Sequence, residues 1–285
     1  MSQASRPLRT VLYIPASKER ALEKAKSLPA DAIIFDLEDA VAPEEKAAAR
    51  ELLRETLAAG EYGSRMKIVR INALGTECGM QDAAAVADMA CDAVLLPKVE
   101  GPGDVAALAD IVPDKELWTM LETPRGCLNA LAIAEALRVG GFVMGTNDLA
   151  KEIGARFRAD RLPMMTALQT CLMAAKAAGI ACIDGVYNAF HDDEGLRAEC
   201  EQGRAIGMDG KTVIHPAQLA IANEVFAPSS DDVELAKRQI AAFDEAMAAG
   251  QAVAVVDGKI VENLHVATAR ATLARAEAIA AMEAA

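Results

Sequence analysis

The sequence predicts an α/β fold, a closed (β/α)8 TIM barrel with a C-terminal helical and hairpin extension. Three observations carry that prediction. Short apolar runs rich in Val, Ile and Leu alternate with Ala-rich amphipathic stretches, the pattern of parallel strands buried on both faces and joined by helices. Eight such repeats fit into about 225 residues, the size of one barrel. The runs close, one after another, on charged or amide side chains, as strands do at the mouth of a barrel. A doubly wound open sheet is the alternative built from the same repeats.

The elements follow in order. Thr10–Pro15 reads as the first strand and Glu19–Leu28 as the first helix. Ala32–Leu37 is the second strand, with a helix near Glu44–Ala58; Lys67–Ile71 is the third, with a helix near Gln81–Ala90. Ala93–Val99 precedes a helix near Asp104–Ile111, and Leu117–Glu122 precedes one near Asn129–Leu137. Gly141–Met144 is the sixth strand, separated by a polar loop from the helix Met164–Ala178. Ala181–Val186 leads to a helix near Glu194–Gly207, and Lys211–Ile214 to a short helix from Ala217. Beyond these, Asp231–Ala249 is helical. Ala252–Val256 and Lys259–Val261 pair as a hairpin, because Asp257-Gly258 suits a tight primed turn. Ala267–Ala284 is a last helix. The predicted division is a barrel over residues 1–226 and an extension over 227–285, with no linker rich in Gly, Pro or Ser between them.

The 285 residues are 53% hydrophobic and 25% charged, as a globular chain with a sizeable core requires. Lys and Arg total 29 against 42 Asp and Glu, a net charge of −13, which argues against a nucleic-acid or anionic-membrane surface. No apolar run is long enough to span a bilayer, and the N-terminus lacks the apolar segment of a signal peptide. Cys78, Cys91, Cys127, Cys171, Cys182 and Cys200 are irregularly spaced and form no C-x-x-C. A reduced, cytoplasmic protein is the expectation.

The strand ends supply the candidate site. The second strand closes on Asp36-Leu37-Glu38-Asp39, the third on Arg70 and Asn72, and the fourth on Pro97-Lys98. The fifth closes on Glu122-Thr123-Pro124, and the sixth runs into Gly145-Thr146-Asn147-Asp148. Asp184, Tyr187 and Asn188 belong to the seventh, His215 and Pro216 to the eighth. Glu122 and Asp148, at the ends of neighbouring strands about 4.8 Å apart, can share one ion. With no Cys or His beside them they favour a hard cation such as Mg²⁺. Asp36, Glu38 and Asp39 would hold metal-bound waters or orient Arg70, whose guanidinium matches a carboxylate. Each carboxylate taken singly is as well explained by a helix cap or a lysine partner, and Arg70 by an ion pair with Asp36 or Glu38. Lys18, Arg20 and Lys24 cluster after the first strand and suit phosphates, or equally a solvated helix face. The nucleotide-loop likenesses fail. The turn from Gly101 carries an internal proline, and Gly210-Lys211-Thr212 has Ala205 where a P-loop needs glycine.

Leu12-Tyr13-Ile14-Pro15-Ala16-Ser17 with Lys18 and Lys24, then Asp31 through Pro43 with Lys46 and Arg50, resembles the citrate lyase β-subunit-like branch of the HpcH/HpaI aldolases. Val69–Asn72, Leu96–Lys98, Met120–Pro124, Gly145–Leu149, Lys211–Pro216 and Val256–Lys259 extend the resemblance over essentially the whole chain. It is nearest the shorter malyl-CoA lyase and thioesterase members. The resemblance implies a Mg²⁺-dependent enzyme, Mn²⁺ serving as substitute, acting on malyl-CoA-type β-hydroxyacyl-CoA thioesters. The reaction would be carbon–carbon cleavage to a 2-keto acid and acyl-CoA, or thioester hydrolysis. It implies Glu122 and Asp148 as metal ligands and Arg70 as holder of the substrate carboxylate. Tyr13, Lys18 and Lys24 would touch the nucleotide end of coenzyme A. Asp257 would be a catalytic group lent by the extension to a neighbouring subunit of a homotrimer or hexamer. Lys18 stands where arginine is common, and Ala16 where glycine often is. A citryl-CoA lyase, a pyruvate-type aldolase on free hydroxy acids, and a non-catalytic assembly subunit are the alternatives.

Overall fold

The computed structural model describes residues 6–284 and divides into two compact units, one of them Leu8–Phe226 and the other formed by residues 6–7 with the chain from Ala227. In the first, eight parallel strands close into a barrel: β1 Thr10–Pro15, β2 Ala32–Asp36, β3 Met66–Arg70, β4 Ala93–Leu96, β5 Glu116–Leu121, β6 Val139–Met144, β7 Ala181–Asp184 and β8 Gly210–Val213. β1 pairs with both β2 and β8, so the sheet has no edge. The helices between the strands are α1 Glu19–Ala25, α2 Lys46–Ala59, α3 Glu77–Ala87, α4 Pro102–Ile111, α5 Pro124–Leu128, α6 Ala130–Ala134, α7 Thr146–Glu152, α8 Leu162–Ala178 and α9 Asp193–Ile206; α10 Leu219–Phe226 follows β8.

The doubly wound alternative is thus excluded, and the barrel stands. The differences in detail have local causes. The predicted helix near Asn129–Leu137 is two short pieces, α5 and α6, because Pro124 at the first turn and the Thr123 side chain, which accepts from Gly126 N–H, start helix earlier. Thr146–Glu152, expected from the sequence as part of a polar loop, is the helix α7, seven residues being too few to show a helical period.

The strands' two-residue period separates two cores. Val11, Ile34, Ile68, Leu95, Trp118, Met120, Val143 and Ile183, all on strands, belong to one buried cluster, the barrel interior. Leu12, Ile33, Phe35, Val69, Val94, Leu121 and Phe142, on the opposite faces, pack with Leu53, Val86, Leu108 and Leu168 of the helices. Advancing two residues from the interior set reaches Tyr13, Asp36, Arg70 and Glu122, so the layer above the apolar plug is polar. One close approach requires glycine: a Cβ on Gly141 would lie 2.7 Å from the Trp118 ring that fills the interior.

The second unit contains α11 Ser230–Ala248, the antiparallel pair β9 Ala254–Val256 and β10 Lys259–Val261, and α12 Asn263–Glu283. Phe243, Ala246, Ala254, Val256, Val261 and Val266 are its buried cluster. No helix among the described residues is long and apolar enough to cross a membrane.

Candidate active site at the barrel mouth

A cleft of about 350 Å³ opens at the C-terminal ends of the strands, with Tyr13, Asp36, Asp39, Arg70, Met120, Glu122, Gly145, Thr146, Asn147, Asp148 and Asn188 among its lining residues. Asp36 and Arg70 are register partners on β2 and β3. Arg70 Nε donates to Asp36 Oδ1 at 2.7 Å and Nη2 to Oδ2 at 2.6 Å. Asp36 also accepts the N–H groups of Glu38 and Ala40, which curls the loop back over the strand end. The third guanidinium nitrogen, Nη1, faces Glu38 Oε2 at 3.0 Å, Asp39 at 3.6 Å and the Met120 sulfur at 3.9 Å. The Tyr13 ring lies under the guanidinium, 5.1 Å from ring centre to Cζ. Burial opposes the Arg70 charge but is outweighed by Asp36, Tyr13 and Glu38, so its pKa is raised and it stays charged.

The loop after β2 is tied down from beneath. Lys46 Nζ donates to the carbonyls of Leu37 and Glu38 at 2.7 and 2.6 Å. Asn72 Nδ2 donates to Leu37 O and to Asp82 Oδ2, and Arg50 donates to the other Asp82 oxygen. Asn72, flagged at the end of the third strand, therefore braces the loop.

Glu122 is 2% exposed, and Oε1 accepts the backbone N–H of Lys98 at 2.8 Å. Burial first, then the charge on Glu38, push the Glu122 carboxyl up to about 8; Asp148 adds to the rise, and Lys98 works against it. Burial also raises Glu38, with Arg70 and Lys98 opposing. Glu38 and Glu122 are thus two neighbouring carboxyls at one mouth whose charged forms burial disfavours. Glu122 and Asp148 are the two carboxylates fit to hold a cation beside Arg70. Their oxygens suit a hard ion, and no group of three or more His, Cys, Asp or Glu able to hold a metal gathers among the described residues. Such an ion would keep water or substrate in most positions, as Mg²⁺ does.

Asp148 reaches this mouth from the first turn of α7, not from a strand end as the sequence reading had it. Asp184, flagged on the seventh strand, is fully buried away from the cleft. It accepts from Arg161 Nη1 with both oxygens at 2.7 Å and lies 3.4 Å from the equally buried Lys211 ammonium, which makes it a brace between β7, β8 and α8. Tyr13 sits against Arg70, whereas Lys18 and Lys24 are exposed, Lys18 lying 3.5 Å from Glu45. Asp257 belongs to the second unit, in the β9–β10 turn, where it accepts from Arg238 Nη1 at 2.7 Å.

Two features escaped the sequence. Asn188 Nδ2 donates to Asn147 Oδ1 at 2.9 Å, a side-chain bridge between the β6 and β7 loops that spacing cannot show. Lys98 stood out only as a strand end, yet its backbone is left-handed, at φ 54°.

The ordering of these side chains along eight strands has known counterparts. A family profile described as HpcH/HpaI aldolase/citrate lyase matches residues 9–216. The chain belongs to the HpcH/HpaI aldolase/citrate lyase family. It is 63% identical over 281 residues to a (3S)-malyl-CoA thioesterase of Cereibacter sphaeroides, covering 99% of both chains. It is 33% identical to the citrate lyase subunit beta of Leuconostoc mesenteroides subsp. cremoris, over 95% of this chain and 93% of that one. Among solved structures it is similar to the protein CitE of Mycobacterium tuberculosis in complex with magnesium, acetoacetate and coenzyme A. The TM-score there is 0.83 at 32% identity, covering 96% of this chain and 100% of that chain.

Proposed function

We propose that this member of the family hydrolyses (3S)-malyl-CoA to malate and coenzyme A, with Mg²⁺ held by Glu122 and Asp148. The observation that carries the reading is the meeting of Glu122, Asp148 and Arg70 around one cleft. The near full-length identity to thioesterases of that name supports it.

Bound Mg²⁺ would supply Lewis-acid polarisation of the substrate oxygens. The chain's own groups do the rest. Arg70 has Nε and Nη2 committed to Asp36, so Nη1 is the corner that meets a substrate carboxylate, and Glu38 must yield it. Asp36 holds the guanidinium plane and Tyr13 supports it from below. The apolar plug beneath Met120 closes the barrel to water from the other end. In hydrolysis, water forms the new C–O bond at the thioester carbon as the C–S bond breaks, and the departing thiolate takes up a proton. Asp257 is assigned to move the proton from the water, as the catalytic group lent by a neighbouring copy of the chain. Lys18 and Lys24 are assigned to the phosphates of coenzyme A.

The assembly is proposed as a homotrimer or hexamer. Its support is the outer face of the hairpin, where the cross-strand partners Val255 and Ile260 are 66% and 64% exposed. A light-scattering mass equal to one chain would sink that assignment.

A second reading, carbon–carbon cleavage to a 2-keto acid and acetyl-CoA, uses the same site. It is favoured by the magnesium, acetoacetate and coenzyme A complex of the similar CitE structure. Incubation of the purified chain with (3S)-malyl-CoA and Mg²⁺ separates the two. Malate with free thiol is the expected product; glyoxylate with acetyl-CoA would replace hydrolysis by cleavage.

A further inference from the structure

Lys98 follows Pro97 at the end of β4 with φ at 54°, a region non-glycine residues occupy only when their surroundings impose it. Its two ends serve two different groups. The backbone N–H donates to Glu122 Oε1 at 2.8 Å, and the side-chain ammonium donates to Glu38 Oε1 at 2.8 Å. Glu38 places its other oxygen 3.0 Å from Nη1 of Arg70, the corner of the guanidinium that Asp36 leaves unused. One residue therefore joins a carboxylate assigned to the metal with the carboxylate that covers the assigned substrate anchor.

We propose that Lys98 is the positioning residue for both halves of this site. The Pro97–Lys98 peptide plane points its N–H at Glu122 Oε1, and the left-handed φ lets the chain leave β4 without turning that plane. That fixes the carboxylate so that Oε2, which lies against Gly145, is presented to the metal. A right-handed or extended φ would redirect the chain after Lys98, and keeping the loop in place would then require the Pro97–Lys98 peptide and its N–H to rotate. The ammonium holds Glu38 from the opposite side to Arg70. With the ammonium gone, Glu38 has the guanidinium as its remaining cation and is held more tightly over Nη1, which an incoming carboxylate must then displace. The strain at Lys98 is thereby tied to metal geometry, and its charge to substrate access. The inference rests on the assignment of Glu122 to the metal.

Substitutions that separate backbone from side chain test it. Lys98→Gly keeps the left-handed region and deletes the ammonium; Lys98→Val deletes the ammonium and disfavours that region; Lys98→Arg keeps a cation. Mg²⁺ affinity is measured by calorimetry on the full-length metal-free protein, so the first readout needs no turnover. Lys98→Val is expected to weaken Mg²⁺ binding by about ten- to a hundred-fold, as loss of a ligand's supporting hydrogen bond does. Lys98→Gly should bind Mg²⁺ nearly as the parent does. The second readout is KM for the acyl-CoA, expected to rise about tenfold or more in Lys98→Gly and to recover in Lys98→Arg.

Equal Mg²⁺ affinity in Lys98→Val and Lys98→Gly overturns the backbone role. An unchanged KM in Lys98→Gly, or one raised equally in Lys98→Arg, overturns the ammonium's. If Lys98→Val does not fold, Lys98→Thr is compared with Lys98→Asn, since asparagine alone of that pair enters the left-handed region readily. Equal affinities there overturn the backbone role as well. A parent protein that takes up no Mg²⁺ would instead strike the metal assignment itself.

Discussion

Asp36 and Arg70 face each other as register partners on β2 and β3, and two guanidinium nitrogens of Arg70 donate to the two oxygens of Asp36 at 2.7 and 2.6 Å. The pair is buried, with relative exposures of 1% and 7%. It fixes the plane of the one arginine in the cleft and, through the N–H groups of Glu38 and Ala40, the path of the loop above it. The ion pair weighed from the sequence alongside the anchor role is what the structure shows. Nε and Nη2 are taken by Asp36, and Nη1, the corner proposed for a substrate carboxylate, is covered by Glu38.

Asp36→Asn is expected to keep the shape and lose the charge. A buried guanidinium that loses its partner costs about 3–5 kcal/mol. Glu38 and Asp39 compensate in part from Nη1, which places the expected loss at the lower end of that range. Urea unfolding of the metal-free protein measures it. A change within experimental error would mean that the pair does not hold the loop.

Gly145 carries a prediction about geometry alone. Its φ of −92° suits any residue, so alanine brings no backbone strain. A Cβ there would lie 2.4 Å from the Glu122 Cβ and 2.5 Å from Oε2. Gly145→Ala must therefore displace Glu122 as a whole, Cβ and carboxylate together. The expected outcome is a folded protein with Mg²⁺ affinity reduced by about ten- to a hundred-fold, read by calorimetry. Parental affinity in Gly145→Ala would separate Glu122 from the metal.

The two-residue period that buries Ile34, Ile68 and Met120 also aims Asp36, Arg70 and Glu122 at the mouth, so both barrel and polar layer could be read in one dimension. Asp148 was found, although its element was not, because α7 is too short to declare a period. Asp184, flagged with the polar strand ends, lies outside the cleft and pairs with a lysine, one of the roles a strand-end carboxylate can have. Its partners Arg161 and Lys211 are 23 and 27 residues away, and ion pairs across elements leave no trace in local spacing. Lys98 was undervalued because what distinguishes it is a backbone angle, and lysine carries none of glycine's warning.

The raised carboxyl of Glu122 predicts a pH dependence whose sign is fixed. Burial and the Glu38 charge move this group from 4.5 to about 8 in the folded chain. Between those values the folded state keeps a proton that the unfolded state has released. Its contribution to stability is full below the lower value and is lost as pH rises toward the upper one. Metal-free protein should therefore lose stability over this interval more steeply than Glu122→Gln does. Saturating Mg²⁺ should remove the difference, because a cation favours the carboxylate. Urea unfolding with chelator at several pH values gives both slopes, and parallel slopes for parent and variant would contradict the assignment.

Asp257 makes the last prediction. Its φ of 50° and that of Gly258, 73°, match a primed hairpin turn, and the turn sets the carboxylate against Arg238 of α11. The Arg238 hydrogen bond, with Lys259 adding to it, holds the Asp257 carboxyl below its usual value. If Asp257 moves the proton in the proposed hydrolysis, Arg238 keeps it ready as a base at lower pH. Replacing Arg238 by Gln should shift the acid limb of the kcat/KM profile to higher pH and leave maximal turnover largely unchanged. Asp257→Ala should lose turnover at every pH. An Arg238→Gln profile identical to the parent's would free Asp257 from this control. Undiminished turnover in Asp257→Ala would remove Asp257 from the chemistry altogether.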